Sequence, residues 1–120
     1  MTDTSTEIVD LILSGDIKIN ILGDLLFEYY LGVDQNIRGA QIGDNIYLRR
    51  SSVDILSDAV HEGVHAKDYY RTKNQKEISS WAGEIRAYSA EREFQIKAGL
   101  PVTFKNIDDM MVHIWREYPR

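Results

Sequence analysis

The chain contains no cysteine. That single absence excludes disulfides, thiolate nucleophiles and cysteine-ligated zinc modules, and it leaves His, Asp and Glu as the side chains able to hold a metal. Only two prolines and eight glycines occur in 120 residues, too few for a fibrous or linker composition. No apolar run approaches the roughly 18–20 residues of a membrane span. Basic residues are outnumbered, 14 against 19 acidic, for a net charge of −5. The Lys and Arg are scattered and form no basic groove, the opposite of the electrostatic footprint of a nucleic-acid binder. Neither a membrane nor a nucleic acid is expected as partner. Residues 1–7 are polar and acidic, without the basic-then-apolar order of a signal peptide. The expected location is the cytoplasm, or a target cell reached as part of a larger protein.

What is present is ordinary for a folded domain: 43% hydrophobic and 28% charged residues. At this length one domain spanning 1–120 is expected. Thr4, Ser5 or Thr6 offers a cap for a first helix ending at Gly15-Asp16. Residues 17–22 alternate apolar and polar as a strand does. Residues 25–31 are a short apolar run compatible with helix or strand. Gly43-Asp44-Asn45 is turn chemistry between two extended pieces, 38–42 and 46–50, and predicts a hairpin. Helices follow: one capped by Ser51, Ser52 or Asp54 and running to about Arg71, a break at 72–74, a longer one from about Gln75 to Ala98 before Gly99 and Pro101, and a last one opened by Asn106 or Asp108. The expected class is α+β, a small antiparallel sheet or hairpin packed on helices.

Residues 61–65 read His-Glu-Gly-Val-His, the H-E-x-x-H pattern of zinc-dependent hydrolases. On a helix, positions i and i+4 share a face one turn apart, so two imidazoles converge on one ion. Glu62 lies about 100° around the axis, beside the metal, where it serves as base for water. A wheel begun at His61 puts Asp54, Asp58, Glu62, His65, Asp68 and Tyr69 on one arc, and Ile55, Leu56, Ala59, Val60, Gly63, Val64, Ala66 and Tyr70 on the other. Lys67 is the intruder on the apolar arc. Gly63 costs about 1 kcal/mol against alanine in a helix interior, so a close helix–helix approach is expected there.

A catalytic zinc usually takes three protein ligands and leaves a fourth place for water. Gly and His, which a longer metzincin pattern would need, are replaced by Asp68 and Arg71. Glu84, on the next helix and flanked by Trp81 and Tyr88, is the favoured third ligand, because an unpaired carboxylate beside an apolar stripe is costly. Glu91, two turns on, is the runner-up; it is placed nearer the exposed end, with Arg86 and Arg92 as solvent-side partners. Asp58 is a candidate to orient an imidazole. His113, Tyr88 and Tyr69 are candidates to donate to an oxyanion, against the alternative that they only pack.

His61-Glu-x-x-His65 followed by Glu84 resembles the gluzincin branch of the zincin metallopeptidases. The stretches 59–68 and Glu84-Ile-Arg-Ala-Tyr88 resemble more specifically the small metallopeptidase domains at the C-termini of bacterial polymorphic toxins and effectors, over roughly residues 38–98. The resemblance implies a zincin-like core, zinc on His61, His65 and Glu84, Glu62 as base, a protein substrate, and a cognate immunity or inhibitor protein as further partner. Regulatory metallopeptidases of the ImmA/IrrE type are an alternative; they usually carry Asn where this chain has Tyr88. A non-catalytic metal-binding or interaction module is the alternative outside enzymes, and Glu62 is the residue such a module has no use for. The strand near 46–50 is expected to hold an extended substrate by strand addition.

Overall fold

The computed structural model describes residues 4–72 and 80–118. The elements in chain order are α1 (Thr4–Leu13), β1 (Lys18–Leu22), α2 (Asp24–Leu31), β2 (Gly39–Ile42), β3 (Asn45–Arg49), α3 (Ile55–Thr72), α4 (Ser80–Ala98) and α5 (Ile107–Glu117). The architecture is α+β, with five helices and a three-stranded sheet among the described residues. Of the expected break at 72–74, Thr72 still belongs to α3; residues 73–74 and the expected helix start near Gln75 lie outside the described residues.

The hairpin forms where its turn chemistry puts it. Gly43 takes φ 61°, a conformation that a Cβ disfavours, and β2 runs antiparallel to β3 with Ala40 opposite Tyr47. The sheet nevertheless differs from the expected antiparallel one. β1 lies on the other side of β3 and runs parallel to it, Ile19 opposite Ile46, giving the mixed order β1-β3-β2. Alternation identifies a strand but not its direction, and the helix within the β1-to-β3 connection makes a parallel return possible. The ambiguous run 25–31 is that helix, α2. It buries Phe27 and ends at Gly32, whose N–H bonds Glu28 O in a left-handed cap.

Arg49 ties α2 to the sheet. Its buried guanidinium donates to Asp24 and Glu28 and to the carbonyls of Asp34 and Ile37, over the Phe27 ring at 4.6 Å. The segment between α2 and β2 is thereby fixed against the sheet.

The core lies between the sheet and three helices. Ile17, Ile46 and Ala66 form one cluster, joined by Leu11 and Ile12; Ile8, Val64 and Ala87 form another, at the seam of α1, α3 and α4. The wheel places most of the α3 face correctly, since Val60, Gly63, Val64 and Ala66 are buried, but Leu56 stands exposed. Lys67 resolves its intrusion by pairing with Glu7 on α1. α4 stops at Gly99, φ 70°, before Pro101, and Asn106 caps α5 by accepting from Asp109 N at 2.8 Å. Among the described residues no helix is long and apolar enough to cross a membrane.

Gly63 has the close neighbour that its cost demands. A Cβ there would lie 2.7 Å from Cγ2 of Ile8 and 3.1 Å from its Cδ1. Gly63→Ala is therefore expected to destabilise the protein in urea unfolding, despite a gain of about 1 kcal/mol in helix propensity. In an Ile8→Ala background the same substitution becomes neutral or stabilising. An equal cost in both backgrounds would place the reason for the glycine elsewhere.

Candidate metal centre

α3 holds His61 and His65 one turn apart with ring centroids 5.2 Å from each other. α4 packs along α3 and presents Glu84 between them. Its Oε1 lies 3.1 Å from His61 Nε2 and its Oε2 3.0 Å from His65 Nε2. Ligand atoms of these three residues fall within 4.8 Å of one another. Around a tetrahedral ion with bonds of about 2.0–2.1 Å, neighbouring ligand atoms are about 3.3 Å apart, so the donor set fits a small cation with little movement. Two imidazole nitrogens and a carboxylate suit zinc and its transition-metal neighbours rather than magnesium or calcium, which take oxygen.

Glu91 does not sit exposed beside Arg86 and Arg92. It is buried, and its Oε1 accepts from His61 Nδ1 at 2.9 Å. Arg86 pairs with Asp68 instead, and Arg92 with the carbonyls of Phe104 and Lys105. Two carboxylates two turns apart on one helix thus reach the two nitrogens of a single imidazole, because those nitrogens lie on different edges of the ring. A proton on Nδ1 shared with Glu91 leaves the Nε2 lone pair for a metal, the arrangement that raises ligand basicity and fixes ring orientation. The second oxygen of Glu91 accepts from Thr103 Oγ1 at 3.3 Å and Gln95 Nε2 at 3.4 Å. Gln95, itself fully buried, also reaches Ser57 Oγ at 3.2 Å and Thr103 Oγ1 at 3.0 Å.

Beside the triad opens a cleft of about 340 Å³, lined among others by Arg38, Asp58, Glu62, Phe104, His113 and Tyr118. Glu62 stands at its edge under the start of β2: a Cβ on Gly39 would come within 3.1 Å of Glu62 Cγ and 3.3 Å of Oε2. Burial pushes the Glu62 carboxyl up, opposed by the charge of both imidazoles. Asp58 reaches no imidazole. It accepts from Ser52 and pairs with Arg38 Nη2 at 2.8 Å, and Glu91 takes the orienting role expected of it. Tyr88 packs edge-on against His61, ring centroids 4.3 Å apart, and its hydroxyl meets Tyr118 OH at 2.8 Å and His113 Nε2 at 3.3 Å. Burial and Tyr118 raise the Tyr88 pKa, so this hydroxyl keeps its proton. Tyr69 is not in the cleft; its ring lies against Gly43 in the hairpin turn. Tyr118 was missed by sequence reasoning, since it stands at the C-cap of α5, where periodicity has run out; Trp81 Nε1 holds its carbonyl at 2.7 Å.

The substrate strand also needs correction. β3 is paired on both sides and has no edge to offer. The free edge beside the cleft belongs to β2. Arg38 O accepts from Arg49 N at 3.1 Å, so by the alternation of antiparallel pairing residues 38, 40 and 42 face β3, while Gly39 and Gln41 turn their N–H and C=O outward. No family model, curated protein or solved structure matches the chain.

Without a bound ion the triad is an ion pair. Burial opposes a charge on His61, but Glu84 and Glu91 outweigh it and raise the imidazole from 6.5 to about 10. Burial likewise opposes the Glu84 charge, and the two histidines outweigh it, lowering the carboxyl from 4.5 to about 2. A raised histidine stabilises the fold fully below its unfolded value and ceases to do so as pH climbs through the folded one; a lowered carboxylate loses its contribution as pH falls. Thermal melts of the chelator-treated protein are therefore expected to weaken as pH rises from 6.5 towards about 10, and His61→Phe should flatten that slope. A wild-type melting temperature that rises across this window contradicts the ion pair.

Proposed function

We propose that the chain is a zinc-dependent metallopeptidase, a hydrolase cleaving a peptide bond in a protein substrate, built on a zincin-like core of edge strand, motif helix and ligand helix. One observation carries this reading: His61 Nε2 and His65 Nε2 both converge on the Glu84 carboxylate while Glu62, one residue along the same helix, lines the cleft. His61, His65 and Glu84 would hold the ion. Zinc supplies Lewis acidity there, polarising the scissile carbonyl and acidifying a water.

The remaining work falls to the protein's own groups. The substrate lies along β2 as an added strand, bonded to the outward backbone groups of Gly39 and Gln41. Glu62 takes the proton of the attacking water and returns it to the leaving amine. Burial raises its proton affinity in the metal-free protein, which favours the first half of that task, taking the proton from water. His113 and Tyr118 line the cleft as donors for the developing oxyanion. Glu91 keeps His61 in one tautomer and one orientation. The toxin or effector setting, and with it a cognate immunity or inhibitor protein, rests on the resemblance at residues 59–68 and 84–88.

Zinc titration followed by assay on a fluorogenic peptide mixture tests the proposal. Wild type should bind about one ion per chain with three protein ligands. Glu62→Gln should keep fold and zinc yet lose turnover; a variant that stays active excludes Glu62 as base, and a wild type that refuses zinc overturns the whole reading. The two ligand-helix carboxylates should also separate. Glu91→Ala should weaken zinc about tenfold, the scale of losing a group that orients a ligand, and Glu84→Ala by more. The reverse ranking moves the site down the helix.

A further inference from the structure

We propose that α5 carries a homodimer interface in which two copies pack α5 against α5, antiparallel, about a twofold axis near Val112. The helix has two apolar faces where a monomer needs one. Met110 and Ile114 face the core and are buried; Ile107, Met111, Val112 and Trp115 face outward, Trp115 with 70% of its surface exposed. Next to them, between α4 and α5, runs an apolar groove of about 230 Å³ lined by Trp81, Ile85, Met111, Val112, Ile114 and Trp115. An indole left in water beside a groove with no polar lining is a marker of an interface.

Charge selects the occupant. Asp108, Val112 and Arg116 are spaced four apart, one row on the helix surface spanning about 12 Å. Neither Asp108 nor Arg116 has an ion-pair partner among the described residues. An antiparallel copy turned about Val112 sets each Asp108 opposite the other copy's Arg116, so both pairs form at once. A parallel copy would set like charge on like and is disfavoured. The same twofold operation brings each Trp115 to within about 3 Å, along the helix axis, of the other copy's Met111, on the groove side of the row. A patch that pairs its own charges and brings its own apolar side chains together is what an isologous dimer requires. One helix and one groove per copy lie at the small end of interface sizes, so association in the micromolar range is expected.

Sedimentation equilibrium on the 120-residue chain tests this. Wild type should dimerise with a dissociation constant of roughly 1–100 µM. Trp115→Ala should raise it at least about tenfold, as loss of a central aromatic anchor does. Asp108→Arg, which sets arginine against arginine twice, should also weaken the dimer, and adding Arg116→Asp should restore it by exchanging the signs. Far-UV circular dichroism and a cooperative thermal melt serve as the check that each variant remains folded. A wild type that stays monomeric at about 200 µM overturns the proposal and leaves the face to a different kind of partner. A dimer indifferent to Trp115→Ala and Asp108→Arg overturns it too, since the contact would then lie elsewhere.

Discussion

Everything at the centre depends on how closely α4 lies along α3. Glu84 reaches both imidazoles only because the two helix backbones approach near their seam, where the contacts are Val64 and Ala87 and where Gly63 lets Ile8 of α1 close over the back of the motif helix. The same approach brings Glu91 to the far nitrogen of His61. Four ionisable groups are thus gathered in a largely buried space, and each is satisfied by another. A carboxylate or imidazolium left alone there would be costly; paired as they are, they keep the donor atoms of His61, His65 and Glu84 within 4.8 Å of one another.

The walls of the site come from loops, and arginines and a buried amide hold those loops down. Arg49 grips the carbonyls of Asp34 and Ile37, which fixes the approach to β2 and so to Gly39 above Glu62. Arg92 grips the carbonyls of Phe104 and Lys105, and Gln95 bonds Thr103 through both its amide nitrogen and its oxygen. The connection from α4 to α5 is therefore fastened to the helix that carries Glu84 and Glu91. Candidate donors on helices, with loops anchored by side chains of those same helices, sit in a rigid setting.

Much of this was legible in the residues. Helical spacing fixed His61, Glu62 and His65 on adjoining faces, and the cost of an idle carboxylate beside an apolar stripe pointed to Glu84. Turn chemistry located the hairpin, and Gly63 announced a close approach before its neighbour was known. What was illegible is of a different kind. The parallel direction of β1 depends on tertiary packing that alternation does not encode. The role of Glu91 depends on which side of an imidazole a neighbouring helix passes, and no local pattern records that. Trp81, which flanks Glu84 on α4, bonds Tyr118 and lines the α5 groove, a pairing that no local pattern records. Tyr118 enters the cleft from the end of α5, beyond the reach of any periodic signal. Asp58 sat on the correct arc of the helix yet is engaged by Ser52 and Arg38, since sharing a face is not the same as sharing a partner.

The functional claim reduces to one arrangement: an ion on His61, His65 and Glu84 with a coordination place left for solvent. X-ray absorption at the zinc edge of the loaded protein reads that arrangement directly. The account predicts two imidazole nitrogens and light oxygen donors at about 2.0–2.1 Å, with the imidazole signal halved in His65→Ala. A first shell without imidazole, or one unchanged by that substitution, would contradict it.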